Sequence, residues 1–182
     1  MILRLFRRND RQATIERLYG VIVAQSRRPA FYTDFAVPDT IEGRFEMILL
    51  HGFLLLHRLK AEPEANRALG QEVFDAFCVD MDANLREMGV GDLAVPKKMK
   101  RVAQAFYGRI GAYDAALAEP DPQALAAALL RNVYASDAAH LPQARILADY
   151  VRAATADLGA QSYEKLAAGE LTLAELPGSS QP

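Results

Sequence analysis

Three histidines, one cysteine and a short run of carboxylates are the side chains whose types and spacing touch on chemistry. His51 and His57 stand six residues apart. On a helix that separates them by about 120°, so they do not form the i, i+4 pair of a metal site. His140 follows Asp137 at i+3 but lacks the Glu-x-x-His partner of a di-metal carboxylate bundle. His51 lies in the most apolar stretch, residues 47–56, and is expected to be a hydrogen-bonded core histidine rather than a ligand. Asp80, Asp82 and Asn84 imitate the opening of a calcium loop. Leu85 then stands where the glycine is needed and Gly91 where the bidentate Glu is needed, so no calcium site is expected. Cys78, among Phe74, Phe77 and Met81, reads as an inert thiol on an apolar helix face. No Asp-Asp-x-x-Asp pair, Walker loop, Gly-x-Gly-x-x-Gly or Gly-x-Ser-x-Gly is present. The residues point to no catalytic group, no metal and no cofactor, and a binding or scaffolding role follows by elimination.

Elements that would position these residues follow from apolar periodicity, and prolines punctuate them. A first helix is expected over about 10–28, with Asp10 as N-cap and Ile15, Leu18, Tyr19, Ile22 and Val23 on one face. Residues 31–38 read as a short irregular segment. Asp39 or Thr40 caps a second helix, about 41–61, whose middle is apolar on every side and so belongs at the centre of the fold. A third, about 64–88, carries Leu69, Val73, Phe74, Phe77, Met81, Leu85 and Met88 on one stripe and stops at Gly89. Pro96 opens a fourth, with Val102, Phe106, Ile110, Tyr113 and Leu117 as its face. Shorter helices are expected over about 122–134, 142–158 and 162–168. Hairpin signals and two-residue alternation are missing. The fold class is all-α: a single-domain bundle of about six helices around the one near 41–61. An arm over 1–11 is expected to precede the domain over 12–176, and a loose tail to follow over 177–182.

The chain has 182 residues, 51% hydrophobic and 24% charged, which suits one domain with a substantial core and excludes a disordered chain. A single cysteine allows no disulfide framework, and a reducing compartment fits it. No stretch reaches the ~18 residues of a membrane span, and no secretory signal is read. The net charge of −2 hides segregation. Residues 1–28 hold seven Arg against two acids, +5; residues 62–92 hold eight acids against two Arg, −6. Residues 93–109 hold Lys97, Lys98, Lys100, Arg101 and Arg109 with no acid, another +5. Ile2, Leu3, Arg4, Leu5, Phe6, Arg7 and Arg8 interleave apolar and cationic side chains, the composition of a weak contact with an anionic membrane surface.

Four segments carry a specific resemblance: YGVIVAQSRRPAFY at 19–32, VPDTIEGRFE at 37–46, DMDANLREMGVGDLAVPKKM at 80–99 and AFYGR at 105–109. In this order they resemble the ubiquinol–cytochrome c chaperone family in its short bacterial form, over about 12–158. The resemblance implies an all-α, non-enzymatic assembly factor for the complex that oxidises ubiquinol and reduces cytochrome c. Mitochondrial members act on newly made cytochrome b, beside a small helper subunit and the ribosome. The long N-terminal extension of those forms is not found here, which fits a chain without organelle import.

On that basis the expected partner is immature cytochrome b, with a small helper subunit a further candidate, and the expected location is the cytoplasmic side, peripheral at the inner membrane. Arg44, Glu46, Asp82, Arg86, Glu87, Lys97, Lys98 and Lys100 fall within the matching segments and are the candidate partner-binding residues. The competing reading is an all-α enzyme or binding protein for an isoprenoid or lipid. It calls for a deep apolar pocket with convergent carboxylates, whereas a chaperone calls for a shallow groove lined by 44–51 and 80–101. A nucleic-acid adaptor is disfavoured, because exposed aromatic stacking platforms are not expected, and no specific nucleic acid is expected.

Overall fold

Proline and capping side chains cut the chain into helices much as the periodicity predicts. A computed structural model describes residues 2–176, with side chains described from Asp10 onward. The tail over 177–182 and the side chains of Ile2, Leu3, Arg4, Leu5, Phe6, Arg7 and Arg8 lie outside the described residues.

The helices are α1 (Ile2–Ser26), α2 (Ala30–Thr33), α3 (Ile41–Lys60), α4 (Glu64–Glu87), α5 (Val95–Ala118), α6 (Gln123–Val133), α7 (Leu141–Gly159) and α8 (Tyr163–Ala167), with a 3₁₀ turn at Ala138–His140. No strand occurs among the described residues. The all-α bundle stands: six helices of at least 11 residues, with α2 and α8 as single turns. Thr40 rather than Asp39 caps α3, its side chain accepting the Gly43 N–H at 3.1 Å. Gly89, at φ +80°, ends α4 in the left-handed region.

Two expectations are corrected. Asp10 is not an N-cap, because α1 begins at Ile2 and Asp10 sits inside it; no glycine or proline in residues 2–9 stops the helix. Part of the segment read as irregular is the one-turn helix α2, which places Phe31 in the core at 0% exposure.

Helix α3 is central. It packs against α1, α4, α5, α6 and α7, with Met47, Leu50, Phe53, Leu55 and His51 fully buried. Helices α1 and α4 run parallel, tied by Arg11–Glu72 at 2.6 Å and by the Tyr19 hydroxyl donating to Asp80 at 2.7 Å. Beyond α8 the non-helical residues 171–176 bury Leu171, Leu173 and Leu176 against the core, a role the periodicity gave no sign of.

His51 is the core histidine expected. Its Nδ1–H donates to the Met47 carbonyl at 2.7 Å, because a carbonyl can only accept, and its Nε2 then accepts the Tyr150 hydroxyl at 2.9 Å. Gln25 donates both to that hydroxyl, at 3.1 Å, and to the Ala174 carbonyl, at 2.9 Å. Burial pushes the imidazole pKa down to about 4 from 6.5, and the Met47 bond offsets only part of that. The unfolded chain therefore binds a proton below pH 6.5 that the folded chain refuses. This stability is fully present above pH 6.5 and is lost as pH falls toward 4, by up to about 1.4 kcal/mol per pH unit. Urea titrations of His51→Gln across that window should show a flatter pH dependence than the parent; an unchanged slope would rule out His51 as the source.

Candidate partner-binding groove

The stripe of α4 outruns the core. Leu69, Val73, Phe74 and Phe77 are buried as expected, whereas Met81 and Leu85 are half-buried and Met88 is 60% exposed. Opposite them, the first turns of α3 leave Ile41 at 66% exposure and Phe45 and Ile48 half-buried. Together with Val102 of α5 these residues floor an open groove of about 440 Å³. Its rim is polar: Arg27 at the end of α1, Glu42 and Arg44 on α3, Asp80 and Asn84 on α4. The apolar positions of this groove had a sequence signal, the continued stripe at Met81, Leu85 and Met88, but periodicity cannot tell a core face from an unpartnered one.

Local structure explains the four quoted segments. In 19–32, Tyr19 holds Asp80, Ile22 is buried, and the Tyr32 hydroxyl donates to the Ser26 carbonyl at 2.7 Å. In 37–46, Val37 is buried, Thr40 caps α3, and Gly43 lets the helix approach the Pro38 carbonyl. In 80–99, Gly89 turns the chain, Val95 is buried at 1% exposure and Pro96 opens α5. In 105–109, Phe106 stacks on Phe74 with ring centroids 4.4 Å apart.

The candidate residues divide among three places. Arg44 lines the groove; its Nε donates to Asp39 at 2.6 Å, and its guanidinium lies 5.5 Å from the Tyr32 ring centre. The Arg44 bond holds the Asp39 carboxyl below the usual carboxylate range. Glu46 faces away from the groove and is buried: Arg109 of α5 grips it through two bonds, the Nε contact at 2.9 Å. That bond raises the Arg109 pKa. Asp82 and Arg86 pair on α4 at 2.6 Å, and Arg86 also reaches Asp92 in the α4–α5 turn. Glu87 is exposed beside them, and Lys97, Lys98 and Lys100 are exposed along the start of α5.

Glu46 and Arg109 brace α3 against α5 beneath the groove. Glu46→Gln keeps the shape and removes the charge facing a guanidinium that is mostly out of water. It should cost about 1–3 kcal/mol by urea denaturation. The double variant Glu46→Gln/Arg109→Gln should recover part of that loss; strict additivity would mean the pair is not coupled.

The other chemistry-bearing side chains are occupied structurally. The Asn84 side-chain amide donates to the Asp80 backbone carbonyl one turn earlier, at 2.7 Å. His57 and Lys60 share Asp114, at 2.6 and 2.8 Å. His140 meets Asp137 at 3.0 Å and stacks on Tyr134. Burial and nearby Asp75 push the Cys78 thiol up. Among the described residues no group of His, Cys, Asp and Glu could hold a metal ion. None of the described helices is long and apolar enough to cross a membrane.

The described residues form an all-α bundle that presents an apolar groove with a charged rim. The chain belongs to the ubiquinol-cytochrome C chaperone family, whose sequence model matches residues 33–173. The segment at 19–32 lies ahead of that match, which continues past the 158 expected. Among curated proteins, the chain is similar to ubiquinol-cytochrome-c reductase complex assembly factor 1 of Xenopus laevis, 26% identical over 136 residues, covering 75% of this chain and 68% of that one. The Homo sapiens protein named ubiquinol-cytochrome c reductase complex assembly factor 1 is 30% identical over 139 residues, with 75% of this chain but only 45% of the human one covered. The crystal structure of the Cbp3 homolog from Brucella abortus superposes with a TM-score of 0.85 at 49% identity, covering 97% of this chain and 98% of that chain. These names describe assembly and chaperone proteins, and the all-α fold is shared with the Brucella abortus structure.

Proposed function

We propose that this protein is a non-enzymatic assembly chaperone that binds immature cytochrome b at the cytoplasmic face of the inner membrane and assists assembly of ubiquinol–cytochrome c reductase. The carrying observation is the groove itself: segments 19–32, 37–46 and 80–99 all contribute to its walls, and its floor is apolar. An amphipathic or membrane-derived helix fits such a floor, while Arg27, Glu42, Arg44 and Asp80 on the rim supply charge that orients it. The N-terminal arm, with Ile2, Leu3, Arg4, Leu5, Phe6, Arg7 and Arg8, would hold the protein weakly at an anionic surface. A small helper subunit would occupy a face outside the groove.

The isoprenoid or lipid enzyme finds less support. The narrow apolar pocket between Gly52, Gly70 and Phe106 measures about 20 Å³, room for one water. Of the two carboxylates on the groove, Asp80 is already held by Tyr19. Deleting the gene should lower holo-cytochrome b while leaving its message intact. Normal levels of the assembled complex in the deletion strain would overturn the reading.

A further inference from the structure

The turn between α4 and α5 presents an apolar tip beside a block of unpaired cations. Leu93 is 98% exposed, the most exposed large apolar side chain described, and Met88 is close behind it in sequence at 60%. Lys97, Lys98, Lys100 and Arg101 follow, all exposed. None makes a side-chain hydrogen bond or ion pair among the described residues, unlike Arg44, Arg86 and Arg109, which each hold a carboxylate. Helical spacing puts Lys97, Lys100 and Arg101 on one side of α5, opposite Val95, Phe106 and Tyr113, which are buried. The nearby acids are Glu87 and Asp92, and Asp92 is already paired with Arg86.

We propose that the α4–α5 turn and the first two turns of α5 form a second membrane-contact element, seating Leu93 in the headgroup region of an anionic bilayer. This rests on the reading above that the protein works at a membrane. An apolar tip flanked by free lysines matches a surface with negative headgroups over hydrocarbon. An RNA backbone would use the cations but gives Leu93 nothing to enter, and α5 offers only Tyr107 as an exposed aromatic. Because a single weak anchor holds a protein only marginally at a bilayer, two elements are worth more than one. The turn joins the groove directly: Met88 belongs to both, so a helix lying at bilayer depth has a short path onto the groove floor.

The parallel course of α1 and α4 makes the proposal separable from the N-terminal arm. The start of α1 lies toward the start of α4, and the turn lies at the other end of α4, about 35 Å away. The protein contains no tryptophan, so Leu93→Trp introduces a unique reporter. The full chain carrying it is titrated with phosphatidylglycerol–phosphatidylcholine vesicles and with phosphatidylcholine alone, with Ile146→Trp on α7 as the distant control. Leu93→Trp emission should move to the blue with the anionic vesicles only, and Ile146→Trp should not move. Lys97→Glu/Lys98→Glu/Lys100→Glu should weaken vesicle binding on the order of a hundredfold, with unchanged helical circular dichroism. Vesicle binding with a silent Leu93→Trp and an unaffected triple variant would overturn the turn and leave the membrane reading standing on the arm. No vesicle binding by the parent would overturn both. Binding to RNA but not to vesicles, or an equal shift from Ile146→Trp, would likewise overturn the proposal.

Discussion

Gly43→Ala should cost about 3–5 kcal/mol, the largest loss expected from a single methyl anywhere in the described chain. A Cβ at this position would lie 1.9 Å from the Pro38 carbonyl oxygen, and backbone is the hardest neighbour to move. That carbonyl cannot withdraw, because it accepts the Thr40 N–H at 2.8 Å and Val37 beside it is buried with its N–H on Phe31. Moving α3 instead would pull Phe45 and Glu46 away from α4 and α5. Two other glycines supply the comparison. At Gly70 the added methyl meets the end of the Leu56 side chain at 2.5 Å, which can rotate, so Gly70→Ala should cost far less. Gly108 has nothing within 4 Å, and Gly108→Ala should be neutral or stabilising by about 1 kcal/mol. Urea denaturation of the three variants should rank Gly43 well above Gly70 and Gly70 above Gly108. A Gly43→Ala chain as stable as the parent would show that the entry to α3 is not the rigid joint described.

Ile41→Glu/Met88→Lys should abolish function in a deletion strain while leaving the fold intact. Both side chains are exposed, so little core packing is lost, and each new charge suits its helix end: an anion in the first turn of α3 and a cation just past α4. Stability should therefore change by no more than about 0.5 kcal/mol per site. The groove, in contrast, would present two charges to an apolar helix on opposite walls. Losses of about 10–100-fold per site in partner capture are expected. The double variant should leave holo-cytochrome b near the level of the deletion strain, and Ile146→Glu on α7 should restore it fully. Complementation by Ile41→Glu/Met88→Lys equal to the parent would remove the groove from the proposed function.

The helices were legible because prolines and caps mark them locally: Thr40, Gly89 and Pro96 fall where the chain turns, and the apolar run at 47–56 is the centre of the bundle. The groove was half legible. Its walls coincide with the quoted segments, but Met81, Leu85 and Met88 repeat at the same spacing whether covered or open, and only the position of α5 decides which. Charges were least legible. Glu46 and Arg44 are two residues apart, yet one is sealed against Arg109 and the other lines the groove, a difference set by a residue 63 positions away. The plug at Leu171, Leu173 and Leu176 has no helical period to announce it.

The hydrogen-bonded line from Met47 through His51, Tyr150 and Gln25 to Ala174 has a consequence for biosynthesis. Gln25 waits 149 residues for its acceptor, and the leucines that seal the core beside it come from the same late segment. During translation the walls of the groove, all contributed by residue 102 or earlier, leave the ribosome first and must persist without their seal. The chain thus passes through an interval in which its own interior is uncovered. Its maturation is timed by its last-made segment rather than by its central helix.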